Sequence, residues 1–253
     1  MWKIGNYLID ERKSRLFTKA RQTSVIIMDG GEQEDGEAVP KQDTEESEKA
    51  KIPIEIDFDS LYEISSDVVA WLYTPDTEIN YVVAQAEDND YYLHRLLDGI
   101  SASGGTLFTD CRNHAGFTDW NTVIYGHNMK NGTMFASLMD YRRPGYYEEH
   151  PIMYLYMPEH RYKLELIAGY TTNINDMIYS IPVTKEERDE IIDHACKVSS
   201  FISGIAIGED DKLVTLSTCS YAYDEARYVV IGRIVDDMPD SFAGNKFFYM
   251  ENY

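Results

Sequence analysis

The sequence predicts a mainly β protein built as a barrel or a sandwich, and three observations carry that expectation. Short runs rich in Val, Ile, Tyr and Thr recur between turn residues, at 79–84, 106–109, 122–125, 152–156, 162–170, 212–218 and 227–235. Aromatic residues make up 13% of the chain, with 20 Tyr, which suits strands and a substrate groove better than a coiled coil. The 253 residues are 43% hydrophobic, enough for one substantial core and an extension.

Taken in order, residues 1–28 read as an N-terminal basic helix. Ile4, Leu8, Ile9, Leu16 and Phe17 form an imperfect apolar face, with Lys3, Arg12, Lys13, Arg15, Lys19 and Arg21 between them. Such a helix fits an anionic membrane surface and packing on a folded domain equally well. Residues 29–51 are an acidic linker: Asp29, Glu32, Glu34, Asp35, Glu37, Asp43, Glu45, Glu46 and Glu48 leave almost no large apolar side chain to offset chain entropy. The folded domain is expected over 52–253.

Three helical patterns punctuate the strands. The first covers 60–71, with Leu61, Ile64, Val68 and Val69 as its apolar set, and the second covers 133–141, with Phe135, Leu138 and Met139 on one face. The third and longest covers 185–202. Thr184 and Glu187 have the spacing of a capping box, and Ile191, Ala195, Val198 and Ile202 form the stripe beside which Cys196 reads as helix packing.

The formal net charge of -21 argues against a nucleic-acid partner, because such a surface repels phosphates. No run of about 18 apolar residues occurs, so the chain as given is expected to hold neither a membrane span nor a signal peptide. The three cysteines, Cys111, Cys196 and Cys219, are odd in number and widely spaced. That pattern suits neither a disulfide framework nor a zinc site, and no metal or cofactor is expected.

The chemistry concentrates near the end of the domain. The run from Leu213 ends at Cys219 and gives way to Ser220, Tyr221 and a polar turn, which sets a thiol at a strand end beside a loop. A nucleophile needs that access, although a buried core cysteine would give the same pattern. A thiol with a reference pKa of about 8.5 needs a nearby cation or base to act at neutral pH. His127 directly follows a strand that ends at Gly126, a setting that none of the other five histidines shares. Arg227 opens the last strand, where it could hold a substrate backbone and an oxyanion, or pair at the surface with Asp224 or Glu225.

Three segments in this order, Tyr125-Gly-His127-Asn-Met, Thr215-Leu-Ser-Thr-Cys219 and Arg227-Tyr-Val-Val-Ile-Gly-Arg-Ile, resemble the sortase signature. The stretches 88–93, 105–110 and 132–138 and the long late helix resemble class B of that family, so the likeness spans about residues 55–235. It implies a closed eight-stranded β-barrel with N-terminal helices and a long helix, about 185–202, between late strands. It implies a cysteine transpeptidase in which Cys219 attacks the Thr carbonyl of a C-terminal sorting pentapeptide on a secreted protein. His127 would move protons to the leaving amine and from an incoming peptidoglycan-precursor amine, and Arg227 would hold the substrate backbone and oxyanion. Asn89, Leu93 and Ser217 would line the groove.

The likeness also implies the extracellular face of the cell membrane, with association through a segment missing from this chain, because the helix over 5–21 resembles the stretch that follows the family's anchor. The acidic linker departs from the family pattern. No carboxylate adjoins Cys219, which disfavours a neighbouring Asp or Glu orienting the histidine. A cysteine endopeptidase using water and a non-catalytic β-barrel peptide-binding module remain as alternatives. The product, amide or free acid, separates the first from a transpeptidase, and an alkylatable Cys219 argues against the second.

Overall fold

Strand-forming runs pair edge to edge until no edge is left. The computed structural model describes residues 25–26 and 54–237, with 159 and 183 excepted. A separate two-residue pair joins β1 (Val25–Ile26) to β2 (Glu55–Ile56). The main sheet is made of β3 (Val68–Tyr73), β4 (Asn80–Ala84), β5 (Leu107–Thr109), β6 (Asn121–Tyr125), β7 (Ile152–Met157), β8 (His160–Asn173), β9 (Leu213–Cys219) and β10 (Ala226–Asp236). These eight strands close a barrel in the order β10-β8-β7-β3-β4-β5-β6-β9. Closure satisfies the backbone donors and acceptors that an open sheet would expose. Neighbours run antiparallel except for two parallel pairs, β4 with β5 and β6 with β9.

Alternate side chains of these strands fill the interior: Leu72, Val83, Leu107, Ile124, Leu155, Leu164, Leu216 and Val230 are buried in one cluster. A 3-10 segment, Ala136–Arg142, adds Leu138, and Phe135 just before it joins the same cluster. Outside the barrel, the short helix α1 (Phe58–Tyr62) sets Phe58 and Leu61 against Val68, Trp71 and Tyr156. A second short helix, α2 (Tyr146–Glu149), packs Tyr146 and Tyr147 on the barrel. The long helix α3 (Lys185–Val198) covers β8 and β10 with Ile191 and Ala195 against Ile167, Tyr170, Val229 and Ile231. Each large apolar side chain so buried contributes roughly 1.5–3 kcal/mol before chain entropy is counted.

All seven strand runs read from the sequence are present. The eighth, β3, lies partly inside the span 60–71, where the pattern predicts a helix. Its first five residues are all buried, because the barrel interior lies on one face and α1 on the other. A strand covered on both faces shows no apolar–polar alternation, so its period is invisible. The pattern at 133–141 folds as a 3-10 segment instead of an α-helix.

The capping box of α3 forms as its spacing predicts: Thr184 Oγ1 accepts from the Glu187 N–H and the Glu187 carboxylate accepts from the Thr184 N–H. The helix stops at Val198, short of the expected 202, because Ser199 and Ser200 turn to bond Gly169 of β8. Val198 and Ile202 therefore leave the stripe, and Ile202 is 92% exposed. Cys196 is also exposed, which corrects its reading as a packed helix residue. The segments 1–28 and 29–51 lie outside the described residues, except that Val25–Ile26 form a strand where the sequence predicts the end of a helix.

Candidate active site

The barrel topology gathers distant residues at one rim. Parallel pairing makes β6 and β9 end at the same edge, with Tyr125 beside Ser217. Antiparallel pairing makes β10 begin there, with Arg227 directly across from Cys219. The β6–β9 contact continues one step past β6, since the Gly126 N–H donates to the Ser217 carbonyl at 3.1 Å and Thr218 Oγ1 donates to the Gly126 carbonyl at 2.8 Å. A Cβ at Gly126 would run into Leu107 and Phe135, so only glycine lets the chain leave β6 against the packed interior and present His127 at the rim.

A cleft of about 340 Å³ opens at this rim, and Asn89, Leu93, His127, Ser217, Cys219 and Arg227 all line it. Every residue singled out from the sequence for the site is thus brought together. Cys111 and Cys196 are not among its lining residues, and neither are His94, His114, His150, His160 and His194.

His127 is held by its surroundings. Its Nε2 lies 2.8 Å from the Leu93 carbonyl oxygen. A carbonyl only accepts, so Nε2 carries the proton and Nδ1 is the nitrogen left to exchange one with a substrate. Gly105, at φ +58°, packs its backbone against that stretch, and a Cβ there would strike the carbonyl oxygens of Tyr92 and Leu93. Burial lowers the His127 pKa from the ordinary imidazole value; the Leu93 carbonyl acts against this, and neighbouring His94 adds to it.

Cys219 ends β9, and its own carbonyl accepts from Asn128 Nδ2 at 2.9 Å, which ties its backbone to the residue after His127. Arg227 donates to the Ala226 carbonyl at 3.1 Å and has no ion pair among the described residues. Its guanidinium therefore keeps donors for a ligand in the cleft. Asn89 accepts the Cys111 N–H on Oδ1 at 2.8 Å, which leaves its amide nitrogen as the group available to a bound peptide carbonyl.

A polar network underlies the cleft. Arg112 grips Asp110 through Nε and Nη2, both at 2.8 Å, and Nη2 also reaches the Tyr179 carbonyl at 3.0 Å. The Tyr125 hydroxyl donates to the same carboxylate at 2.9 Å, and the Tyr179 hydroxyl bonds Ser217 Oγ at 2.8 Å. Burial pushes the Asp110 carboxyl up, but Arg112 and Tyr125 outweigh it and hold it at about 2. Burial pushes the Tyr179 hydroxyl up to about 12, with Ser217 acting against it, so it stays a neutral hydrogen-bonding group at physiological pH. The network braces three cleft walls against one another, and Ser217 is fixed by Tyr179 two residues before Cys219 on the same face of β9.

A second cleft, of about 500 Å³, is lined by Ser103, Asn128, Met129, Lys130, Asn131 and Tyr221 together with His127. Among the described residues, His127 is the one that lines both clefts.

Sequence reasoning did not single out Asp110, Arg112, Asn128, Tyr179 or His94. Asn128 and Asp110 had a signal, since the first follows His127 inside a quoted motif and the second ends the stretch 105–110. Arg112, Tyr179 and His94 meet the site only through tertiary contacts.

A thiol, an imidazole and a guanidinium without an ion pair among the described residues meet at one rim of a closed β-barrel, an arrangement whose chemistry suits cysteine acyl transfer. A sequence profile described as the Sortase domain matches residues 72–235. Sortase B of Listeria monocytogenes is 37% identical over 180 residues, covering 69% of this chain and 72% of the relative. Sortase B of Staphylococcus aureus is 32% identical over 181 residues, covering 70% and 74%. Among solved structures, the Staphylococcus aureus sortase B–substrate complex superposes with a TM-score of 0.67 at 31% identity, covering 72% of this chain and 85% of that one. The Clostridium perfringens sortase B structure does so with a TM-score of 0.67 at 30% identity, covering 71% and 100%. The chain belongs to the sortase family, class B, and is a cysteine transpeptidase of that family.

Proposed function

We propose that this protein cleaves a C-terminal sorting pentapeptide after Thr and joins the released secreted protein to an amine of a peptidoglycan precursor. The observation that carries the reading is the β9–β10 register, which sets Arg227 across from Cys219 in a cleft that His127 also lines. The Cys219 thiolate attacks the Thr carbonyl carbon, and the carbonyl electrons move onto oxygen, where Arg227 stabilises the oxyanion. The oxyanion collapses, the carbon–nitrogen bond breaks, and His127 delivers a proton to the leaving amine. A thioacyl-enzyme remains. His127 then takes a proton from the acceptor amine as it attacks the thioester, and the Cys219 thiolate leaves. Asn89, Leu93 and Ser217 bind the acyl-donor peptide.

The second cleft supports an acceptor arriving separately, because it reaches His127 without crossing the first. A solved sortase B complex with triglycine has a TM-score of 0.67 at 29% identity, covering 72% of this chain and 86% of that one, and supports an oligoglycine-type amine as acceptor. Family membership supports a place at the Gram-positive cell surface. In this reading, residues 1–28 lie next to the membrane and 29–51 are a flexible spacer before the catalytic domain at 52–253.

The test is a pentapeptide library incubated with enzyme and triglycine and read by mass spectrometry. Peptides cut after Thr should appear as triglycine amides, and Cys219→Ala should give none. Free acid as the sole product at saturating triglycine would replace this reading with an endopeptidase.

A further inference from the structure

The His127 imidazole does not stand alone. The ring of His94 stacks on it, with centroids 5.3 Å apart and planes inclined by 18°. His94 ends the 3-10 turn Tyr92–His94, which places it next to Leu93, whose carbonyl holds His127 Nε2. The His94 carbonyl accepts the Ala102 N–H at 3.0 Å, and the Tyr92 carbonyl accepts the Thr106 N–H at 3.0 Å. The turn that carries the second ring is thus tied to the chain running into β5. Its side chain lies toward solvent while His127 lies inward, so a change in the medium meets His94 first.

We propose that His94 is a positioning residue that governs when His127 can hold its second proton: the stacked ring, once protonated, opposes the charge on its neighbour. The other charged or titratable groups around His127 come from every adjoining element. Cys219 and Arg227 lie at the ends of β9 and β10, Tyr125 on β6, and Asp110 and Arg112 just after β5. Tyr179 lies beyond β8, and Lys130 and Tyr221 lie in the second cleft. Asp110 and Arg112 neutralise each other. Imidazole is the side-chain type whose charge ordinarily changes near neutrality, so the stacked ring can couple the site to pH in that range; the Cys219 thiol, the other group in the cleft able to exchange a proton with His127, is removed from the test by Cys219→Ala in every sample. The lowering of the His127 pKa by His94 agrees with this direction.

For catalysis the inference rests on His127 being the acid of the transfer reaction, but its test does not. The full chain, with carbon-labelled histidine and Cys219→Ala, is titrated by NMR, and the His127 ring signal is followed with His94 in place and in His94→Phe. Phenylalanine keeps a stacked ring and removes only the charge; His94→Gln would also uncover His127 and so mixes two effects. With His94 in place the His127 curve should be broader than a one-proton transition. In His94→Phe it should sharpen to one proton, with its midpoint raised. An unchanged width and midpoint in His94→Phe would overturn the proposal. If the curve shifts but no variant or wild-type protein transfers a peptide to an amine, the coupling stands and the proposed function falls.

Discussion

Arg227 and Arg233 sit on the same strand, β10, yet the two ends of that strand do opposite things. Arg233 lies across from Leu213, at the far end of the β9 pairing. It is saturated: Nε and Nη2 grip Glu165 at 2.9 and 2.7 Å, and Nη1 bonds Asp211 at 2.8 Å. Arg227 lies across from Cys219 and carries one backbone hydrogen bond. A guanidinium gripped by carboxylates holds elements together, and one with a single backbone bond keeps donors ready to bind. The difference lies in what the barrel places opposite each arginine, since alternation puts both on the same face.

The most severe test of this contrast is at Cys219. Cys219→Ala should abolish cleavage, whereas Cys111→Ala and Cys196→Ala should leave turnover close to wild type, as a fluorogenic sorting peptide would show. Residual activity in Cys219→Ala would dissolve the rim as a reactive end. At the arginines, Arg227→Ala should cost about 10²–10³ in kcat, the scale of losing an oxyanion donor. Arg227→Lys should recover little, because an ammonium lacks the planar fork. Arg233→Ala should keep its kcat and lose about 1 kcal/mol of stability in urea unfolding, the upper range for a partly screened pair. The reverse sensitivity would invert the comparison.

His127→Ala should lower kcat by at least ~100-fold, the usual scale for a general acid. Replacing His94, His114, His150, His160 or His194 should cost far less in each case.

A smaller effect tests the bracing beneath the rim. The Asp110 carboxyl is held at about 2 in the folded protein, against an ordinary value of 3.8. A depressed carboxyl stabilises the fold fully above about pH 4, and that contribution is lost as the pH falls toward 2. Asp110→Asn should therefore be less stable at neutral pH by on the order of 2 kcal/mol. The gap from wild type should close in denaturation curves taken at progressively lower pH. A constant gap would mean that shape, and not charge, does the bracing.

The smallest effect is expected at the other extreme of the chain. Removing residues 1–50 deletes β1, a two-residue partner of β2 outside the barrel. Peptide cleavage and melting temperature should barely move, and a large drop in melting temperature would make that segment part of the fold.

The same contrast explains what could be read from the chain alone. Runs dense in Val, Ile, Tyr and Thr between turn residues announced themselves, as β8 and β10 did. So did a strand end marked by glycine and histidine, and a helix start marked by Thr184 and Glu187. The strand β3 did not, because burial on both faces removes the alternation and Leu61, Ile64 and Val68 fall at helical spacing across its start. The end of α3 was hidden for another reason: Gly169, on a different element, draws Ser199 and Ser200 away. The direct reactive groups of the candidate site were legible because their types and strand ends are distinctive. The supports were not, since Arg112 reaches Tyr179 and Asn128 reaches Cys219 across long stretches of chain that only the closed barrel brings together.

The parallel ladder between β6 and β9 has a consequence for the order of assembly. It joins 121–125 to 213–217, so the chain between them must be looped and largely placed before the ladder can form. Contacts of such long sequence separation are slow to form. Helix α3, built from local hydrogen bonds, is free to form earlier. In refolding from denaturant, far-ultraviolet helical signal should return before turnover does. A half-folded chain would then carry the thiol of Cys219 without the histidine beside it.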